Sequence, residues 1–264
     1  GAPFGKFRNK ALMQKVLEST SEITESIEGL SREKFSSISA SLPFSAKVNL
    51  PTKSFTEEIW INLTSPLKHQ LKSEAVVDFN ESSLIESVNT LRWDGFGWWS
   101  SNVDGSGVAR VAQYFGIEIS QGAVLGIIGG GGAARSTAHT WQQLGGKVKI
   151  FGGKRDLGDF EWLKPTELND RVCDFFVNFD DDIVPDDIEV TGFVLNSKYH
   201  NVSGEHEDRV AAVTGEVIDG RWLLVAQHLE NWSQLWAPQH ADLLPPLDLL
   251  ISMLIVAEST LASY

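Results

Sequence analysis

The sequence predicts an α/β fold in two lobes: a mixed α/β lobe, then a doubly wound, mainly parallel sheet. Three observations carry this expectation. The 264 residues suffice for a sizeable core and sit near the length at which one core gives way to two. From residue 123 onward, β-type runs at 123–128, 147–151, 173–177, 190–195 and 215–218 are separated by helical or loop segments, the spacing of a parallel sheet. The apolar "VLGII" leads straight into "GGGGAARSTAHTW", so a strand, a glycine turn and a helix follow one another.

The first lobe opens with a helix over 9–30, where Leu12, Val16, Ile23, Ile27 and Leu30 recur at steps of three, four or seven. Short strands are expected at 35–42, 46–49 and 59–63, then a helix from Pro66, since proline is well tolerated in a first turn. "SVNTLRW" and "FGWWSSN" are β-rich runs separated by Asp-Gly, a hairpin signal. Residues 104–116 read as a helix closed by Gly116. The tail, 221–261, is helical and broken around "APQHADLLPP", placed to return over the first lobe. Within it "LDLLISMLIVA" at 247–257 is too short for a bilayer and contains Asp248, so a buried helix is expected. The lobes are drawn at 1–104, completed by 221–264, and at 105–220.

A formal charge of −13 argues against a nucleic-acid or anionic-membrane surface, either of which needs a basic patch. A small molecule is the expected partner, and monomer and homodimer both stay open. The single cysteine, Cys173, excludes an internal disulfide and a multi-thiolate metal site; it lies in an apolar run and reads as core. Such sparse usage suits a reducing compartment, the cytoplasm, and "GAPFGKFRNK" has no apolar signal-peptide core. No metal is expected: the aspartates of "FDDDIVPDD" lack calcium-loop spacing, and the six histidines show no paired spacing.

Gly129, Gly131 and Ala134 form a G-x-G-x-x-A arrangement, with Gly130, Gly132 and Ala133 completing the turn. A side chain at Gly131 would block a pyrophosphate, whereas free N–H groups and the dipole of the following helix attract it. Dinucleotide binding in a Rossmann-like lobe follows, with Ala134, Ala138, Trp141 and Leu144 as the inward stripe of that helix. The second strand ends at "GGKRD", where an NAD-type site wants an acidic residue. Lys154 and Arg155 stand there instead and suit a 2′-phosphate, so NADP is favoured; Asp156 keeps NAD open. The plainer reading of these charges is a solvated turn.

Moving a hydride between a nicotinamide and an alcohol carbon also requires a proton to leave or reach the oxygen. A lysine serves when partial burial lowers its pKa, and a nearby carboxylate can orient it. Lys68 lies just past a strand of the first lobe, and Asp104 lies where the chain leaves that lobe. Both face a cleft between the lobes if one exists; otherwise Lys68 is a surface residue.

At these residues the chain resembles the shikimate dehydrogenase family. The family's N-x-T-x-P-x-K is matched by Asn62, Thr64, Pro66 and Lys68, its V-N-T by Val88, Asn89 and Thr90, and its N-T-D-G-x-G by Asn102, Asp104, Gly105 and Gly107. Its G-A-G-G-A turn is similar to "GGGGA" at 129–133, and its D-G-x-x-M-L-V-x-Q to "DGRWLLVAQ", ending at Gln227. The matches keep the same order over residues 62 to 227. The resemblance implies NADPH-dependent, reversible reduction of 3-dehydroshikimate or a close ring polyol acid, a step of aromatic amino acid biosynthesis. Lys68 and Asp104 are then the catalytic pair, and Asn62, Thr64, Asn89 and Gln227 hold the substrate.

The chain also departs from the family pattern. The family's opening G-x-P-I-x-H-S-x-S-P supplies two serines to the substrate carboxylate, but Lys6, Phe7 and Asn9 stand where its His, Ser and Ser fall. Val103 replaces the threonine of N-T-D, and "GGK" replaces N-R-T at the second nucleotide-lobe strand. A quinate or amino-analogue dehydrogenase, and a catalytically silent nucleotide-binding domain, are the rival readings.

Overall fold

The computed structural model describes residues 59–63, 68, 76–80, 82–93, 98–167, 169–181, 183–198 and 205–262. The expected helix at 9–30, the strands at 35–42 and 46–49, the helix opening at Pro66, the substrate residue Thr64 and the altered opening segment lie outside them.

Two four-stranded sheets organise the described chain. The first holds β1 (Ile59–Asn62), β2 (Val76–Asp78), β3 (Thr90–Trp93) and β4 (Trp98–Ser101) in the order β1-β3-β4-β2. β3 and β4 run antiparallel with Thr90 opposite Ser101 and Trp93 opposite Trp98, the hairpin that Asp-Gly predicts. β1 adds antiparallel to β3, and β2 parallel to β4.

β2 ends in a carboxylate turn. Asp78 Oδ1 accepts from the Ser82 backbone N–H at 2.8 Å and from its hydroxyl at 2.7 Å, while Oδ2 accepts from the backbone and hydroxyl of Ser83. Burial pushes this carboxyl up, but the four hydrogen bonds outweigh it and hold the group below its ordinary 3.8. A depressed folded-state value contributes stability above pH 3.8, lost as pH falls through the folded value. In denaturant melts, wild type should therefore exceed Asp78→Asn at neutral pH, and the gap should close below pH 3.8.

The second sheet holds β5 (Val124–Ile128), β6 (Lys147–Ile150), β7 (Val172–Asn178) and β8 (Glu189–Asn196) in the order β6-β5-β7-β8, all parallel. Strand order reverses at β5, which opens a crevice at the carboxyl ends of the strands. The run at 215–218 does not form the fifth strand that its composition predicts. Thr214 to Val217 bend, and only Ile218 bridges Leu195, in parallel.

Among the described residues five α-helices accompany the sheets: α1 (Asp104–Tyr114), α2 (Gly132–Gln143), α3 (His206–Val213), α4 (Gly220–Asn231) and α5 (Leu247–Ala262). α2 buries Ala134, Ala138 and Trp141 among Leu125, Ile127, Phe175 and Val177. The Trp141 ring stacks on Phe175, and its Nε1–H donates to the Ala123 carbonyl at 2.9 Å, so the indole is both buried and satisfied. Leu144, expected in this stripe, is exposed instead: it caps the helix, and Gly145 at φ 90° turns the chain away. On the other sheet face Cys173, Phe176 and Ile188 form a smaller cluster, and burial pushes the Cys173 thiol up to about 11, leaving it an inert core group.

The tail departs from expectation at α5. Leu247, Ile251 and Ile255 face the core, but Leu249, Met253 and Val256 are exposed. A helix this apolar still has only one side on its neighbours, so the expectation of a fully buried segment is corrected. No helix among the described residues is long and apolar enough to cross a membrane. Between α4 and α5 a π-helical turn over Trp232–Trp236 returns the chain to the first sheet. Trp60 of β1 stacks on Trp236 at 5.8 Å and meets the edge of Trp232 at 4.8 Å. Arg92 Nη1 donates to the Leu235 carbonyl at 2.9 Å.

Candidate active site

β4 delivers the chain into α1, and the junction is fixed by two asparagines. Asn102 Oδ1 accepts the Asp104 backbone N–H at 2.9 Å, and Asn102 Nδ2 donates to the Ser87 hydroxyl at 2.9 Å. Asn89 Oδ1 accepts the Val103 N–H at 3.0 Å. Helix-start N–H groups lack intrahelical partners, so side-chain oxygens here satisfy them and set the entry angle. Asp104 becomes the first residue of α1, with its carboxylate at the positive end of the helix.

Asp104 is 2 % exposed, and its carboxylate receives three donors. Lys68 Nζ donates to Oδ2 at 2.6 Å, Asn89 Nδ2 to Oδ1 at 2.9 Å, and Gln227 Nε2 to Oδ1 at 2.8 Å. The Lys68 side chain is 17 % exposed, so its ammonium is anchored on one side and open on another. Its carbonyl is tied as well, accepting the Val88 N–H at 2.8 Å. Residues expected at the catalytic and substrate positions thus meet, from the loops flanking the first sheet, from α1 and from α4, around one carboxylate.

Two glycines allow this convergence. A Cβ at Gly105 would stand well inside contact distance of the Ser136 carbonyl of α2, and the Gly105 N–H donates to Ser136 Oγ at 2.9 Å. A Cβ at Gly107 would lie 2.8 Å from Gln227 Cγ. The G-x-G after Asp104 therefore lets α1 press against both α2 and α4.

One residue that ties this site together, Asn231, is marked by none of the motifs. The Thr90 hydroxyl has one proton and three amide oxygens nearby; the shortest approach, 2.6 Å to Asn231 Oδ1, identifies its acceptor. Asn231 Nδ2 in turn donates to Asn62 Oδ1 at 3.1 Å. This leaves the Asn62 amide nitrogen without an acceptor among the described residues, on an exposed residue at the end of β1. Asn231 lies four residues after Gln227 on the same face of α4, and that spacing is the signal that would have found it.

The glycine turn is built as its sequence requires. Gly129 sits at φ 119°, a left-handed conformation open to glycine. Gly131 is the N-cap of α2 with no side-chain cap, so the first N–H groups of the helix point outward. Arg155 Nη2 lies 2.9 Å from the position a Gly131 Cβ would take. A small residue, open helix N–H groups and a guanidinium fit a pyrophosphate. Lys154 sits elsewhere: its backbone N–H donates to Asp180 Oδ2, and its Nζ donates to the Asp180 carbonyl at 3.2 Å. Gly130, Gly132 and Ala133 complete the turn between β5 and α2. Among the described residues no group of three or more His, Cys, Asp or Glu is placed to hold a metal.

No family model matches the chain. The shikimate dehydrogenase (NADP(+)) of Methylibium petroleiphilum is 38% identical over 74 residues, covering 28% of this chain and 25% of that protein. That of Methanococcoides burtonii is 36% identical over 91 residues, covering 34% of this chain and 32% of that protein. The alignments span a third or less of the length of these curated relatives. In three dimensions the chain superimposes on shikimate 5-dehydrogenase from Thermus thermophilus, solved in complex with NADP(H) and shikimate. The TM-score is 0.57 at 20% identity, covering 77% of this chain and 78% of that one. The chain has the shikimate dehydrogenase fold. Within that fold Lys68, Asn89 and Gln227 gather on the carboxylate of Asp104 at the start of α1, and Gly105 joins α1 to the helix that begins at the glycine turn.

Proposed function

We propose that the chain is a shikimate dehydrogenase-like oxidoreductase, catalysing reversible NADPH-dependent reduction of 3-dehydroshikimate to shikimate or a closely related ring polyol acid. The observation that carries this reading is the 2.6 Å contact between Lys68 Nζ and the buried carboxylate of Asp104, made at the junction of the two sheets. When bound, the nicotinamide supplies the hydride. Lys68 hands a proton to the ketone oxygen in the reducing direction and takes it back in the oxidising one. Asp104 keeps the ammonium aimed and accepts from the substrate hydroxyl, while Asn89 and Gln227 hold its second oxygen. Asn62 offers its amide nitrogen, and Thr64 its hydroxyl, to the ring hydroxyls. A site built to bond hydroxyls rejects analogues that lack them. Both curated relatives named above carry the NADP(+) designation, which supports the cofactor assignment.

The test is a nicotinamide absorbance assay with shikimate and NADP, with quinate in parallel. Turnover of shikimate supports the reading. Cofactor binding with no turnover on any cyclohexene or cyclohexane polyol acid replaces it with a silent nucleotide-binding domain, the alternative that the changed opening segment raises. We place the protein in the cytoplasm on its sparse cysteine usage, with a small-molecule substrate as its partner.

The two cations at the second-strand turn should separate in binding assays. Lys154→Ala is expected to weaken NADPH several-fold, by about the 1 kcal/mol of an exposed ion contact, and to spare NADH. Arg155→Ala, at the pyrophosphate position, should weaken both. Fluorescence titration of the reduced cofactors measures this directly; an equal effect of Lys154→Ala on both contradicts its assignment to the 2′-phosphate.

A further inference from the structure

We propose that Asp180 is a specificity-determining residue for the cofactor ribose, supplying from the end of β7 the carboxylate that the end of β6 lacks. The proposal rests on the nucleotide-site reading above. In this kind of site the adenosine ribose lies over the carboxyl ends of the first two strands, and an acid at the second accepts from its hydroxyls. Here the second strand runs into Gly152, Gly153 and Lys154, and their backbone is bare of any acid side chain.

Asp180 fills the space those residues leave. Its Oδ2 accepts the Lys154 N–H and lies 2.6 Å from where a Gly153 Cβ would stand. Its Oδ1 lies 3.3 Å from the corresponding position on Gly129. The carboxylate therefore spans the mouth between β5 and β6, although it arrives from β7. Its direction is set locally: Asn178 Oδ1 accepts the N–H of Asp180 at 3.0 Å and of Asp181 at 2.9 Å. The Lys154 and Lys198 ammoniums lie 3.2 and 3.4 Å from the Asp180 backbone carbonyl, so two cations are held at the residue that carries the carboxylate.

These charges oppose each other toward a 2′-phosphate. The lysines attract it, and the carboxylate repels it at close range. A ribose diol, by contrast, donates to the carboxylate and finds no repulsion. Asp180 thus lowers the preference for NADPH over NADH that Lys154 alone would set.

The test is equilibrium titration of the full chain with NADPH and NADH, following nicotinamide fluorescence, for wild type, Asp180→Asn and Asp180→Glu. Asn keeps an acceptor for the Lys154 N–H and removes the charge. It should raise the NADPH-to-NADH affinity ratio about tenfold, the effect of one partly screened charge. Glu restores the charge and should return the ratio toward wild type. Should Asp180→Asn unfold in a thermal melt, Asp180→Ser replaces it with the same expected direction. A ratio unchanged within about twofold in a folded variant that binds both cofactors overturns the proposal. Wild-type protein that binds neither cofactor overturns the nucleotide-site reading itself, a different outcome from an unchanged ratio.

Discussion

Lys68→Ala is expected to lower kcat for shikimate oxidation by about 10²- to 10⁴-fold, the range for losing a positioned proton donor, while NADPH affinity barely changes. The residue contacts Asp104, not the glycine turn, so only the chemical half of the site is touched. Lys68→Arg separates the two tasks of this side chain. Arginine still offers donors to the Asp104 carboxylate but does not give up a proton at accessible pH, so it should keep the fold and stay inactive. Alanine instead leaves a buried carboxylate with the amides of Asn89 and Gln227 alone, which costs stability as well. Thermal melts and steady-state kinetics on both variants give the comparison. An arginine variant with near wild-type kcat would remove Lys68 from the proton path.

Much of the site lay open in the sequence because its parts are short motifs with local mechanics. Asn62 closes β1 and Lys68 follows six residues later, while Asn102, Asp104, Gly105 and Gly107 sit around the turn from β4 into α1, so the short spacing within each motif keeps its residues together. The glycine turn is legible for the same reason, since a strand, a bare N-cap and an alanine-faced helix are all encoded within twenty residues. What spacing cannot show is which distant segment completes a contact. Asn231 is one asparagine in a tryptophan-rich tail until α4 is laid against β3, where it takes the Thr90 proton and holds Asn62. Asp180 sits in an acidic run that reads as a solvated loop, and only the β6-β5-β7 order swings it across to Gly153. The exposed side of α5 was missed for a related reason: uniformly apolar sequence has no polar face to mark which side turns outward. The 215–218 run shows the limit of composition, since a glycine and a bend override β-prone neighbours.

Gly105→Ala should produce the largest loss of stability, and it should take activity with it. The added methyl would meet the Ser136 carbonyl and Thr140 Oγ1, both on α2, and a backbone carbonyl in a packed helix has nowhere to retreat. α1 must therefore move away from α2, at a cost of about 1–3 kcal/mol or more for overpacking, or roughly 3–10 °C in Tm for a chain of this size. The movement starts one residue from Asp104. It pulls the carboxylate from Asn89, Gln227 and Lys68 together, and misplacement of reacting groups by about 1 Å costs on the order of 10²-fold in rate. Ser136→Ala, in contrast, removes only the hydroxyl that accepts the Gly105 N–H and leaves room between the helices, so its effect should stay near 1 kcal/mol. Melting temperatures paired with kcat distinguish the two causes. If Gly105→Ala melts like wild type, then α1 and α2 are not in close contact at this point, and Asp104 owes its position to the asparagine junction with β4 and to its own side-chain donors rather than to the packing of α1 on α2.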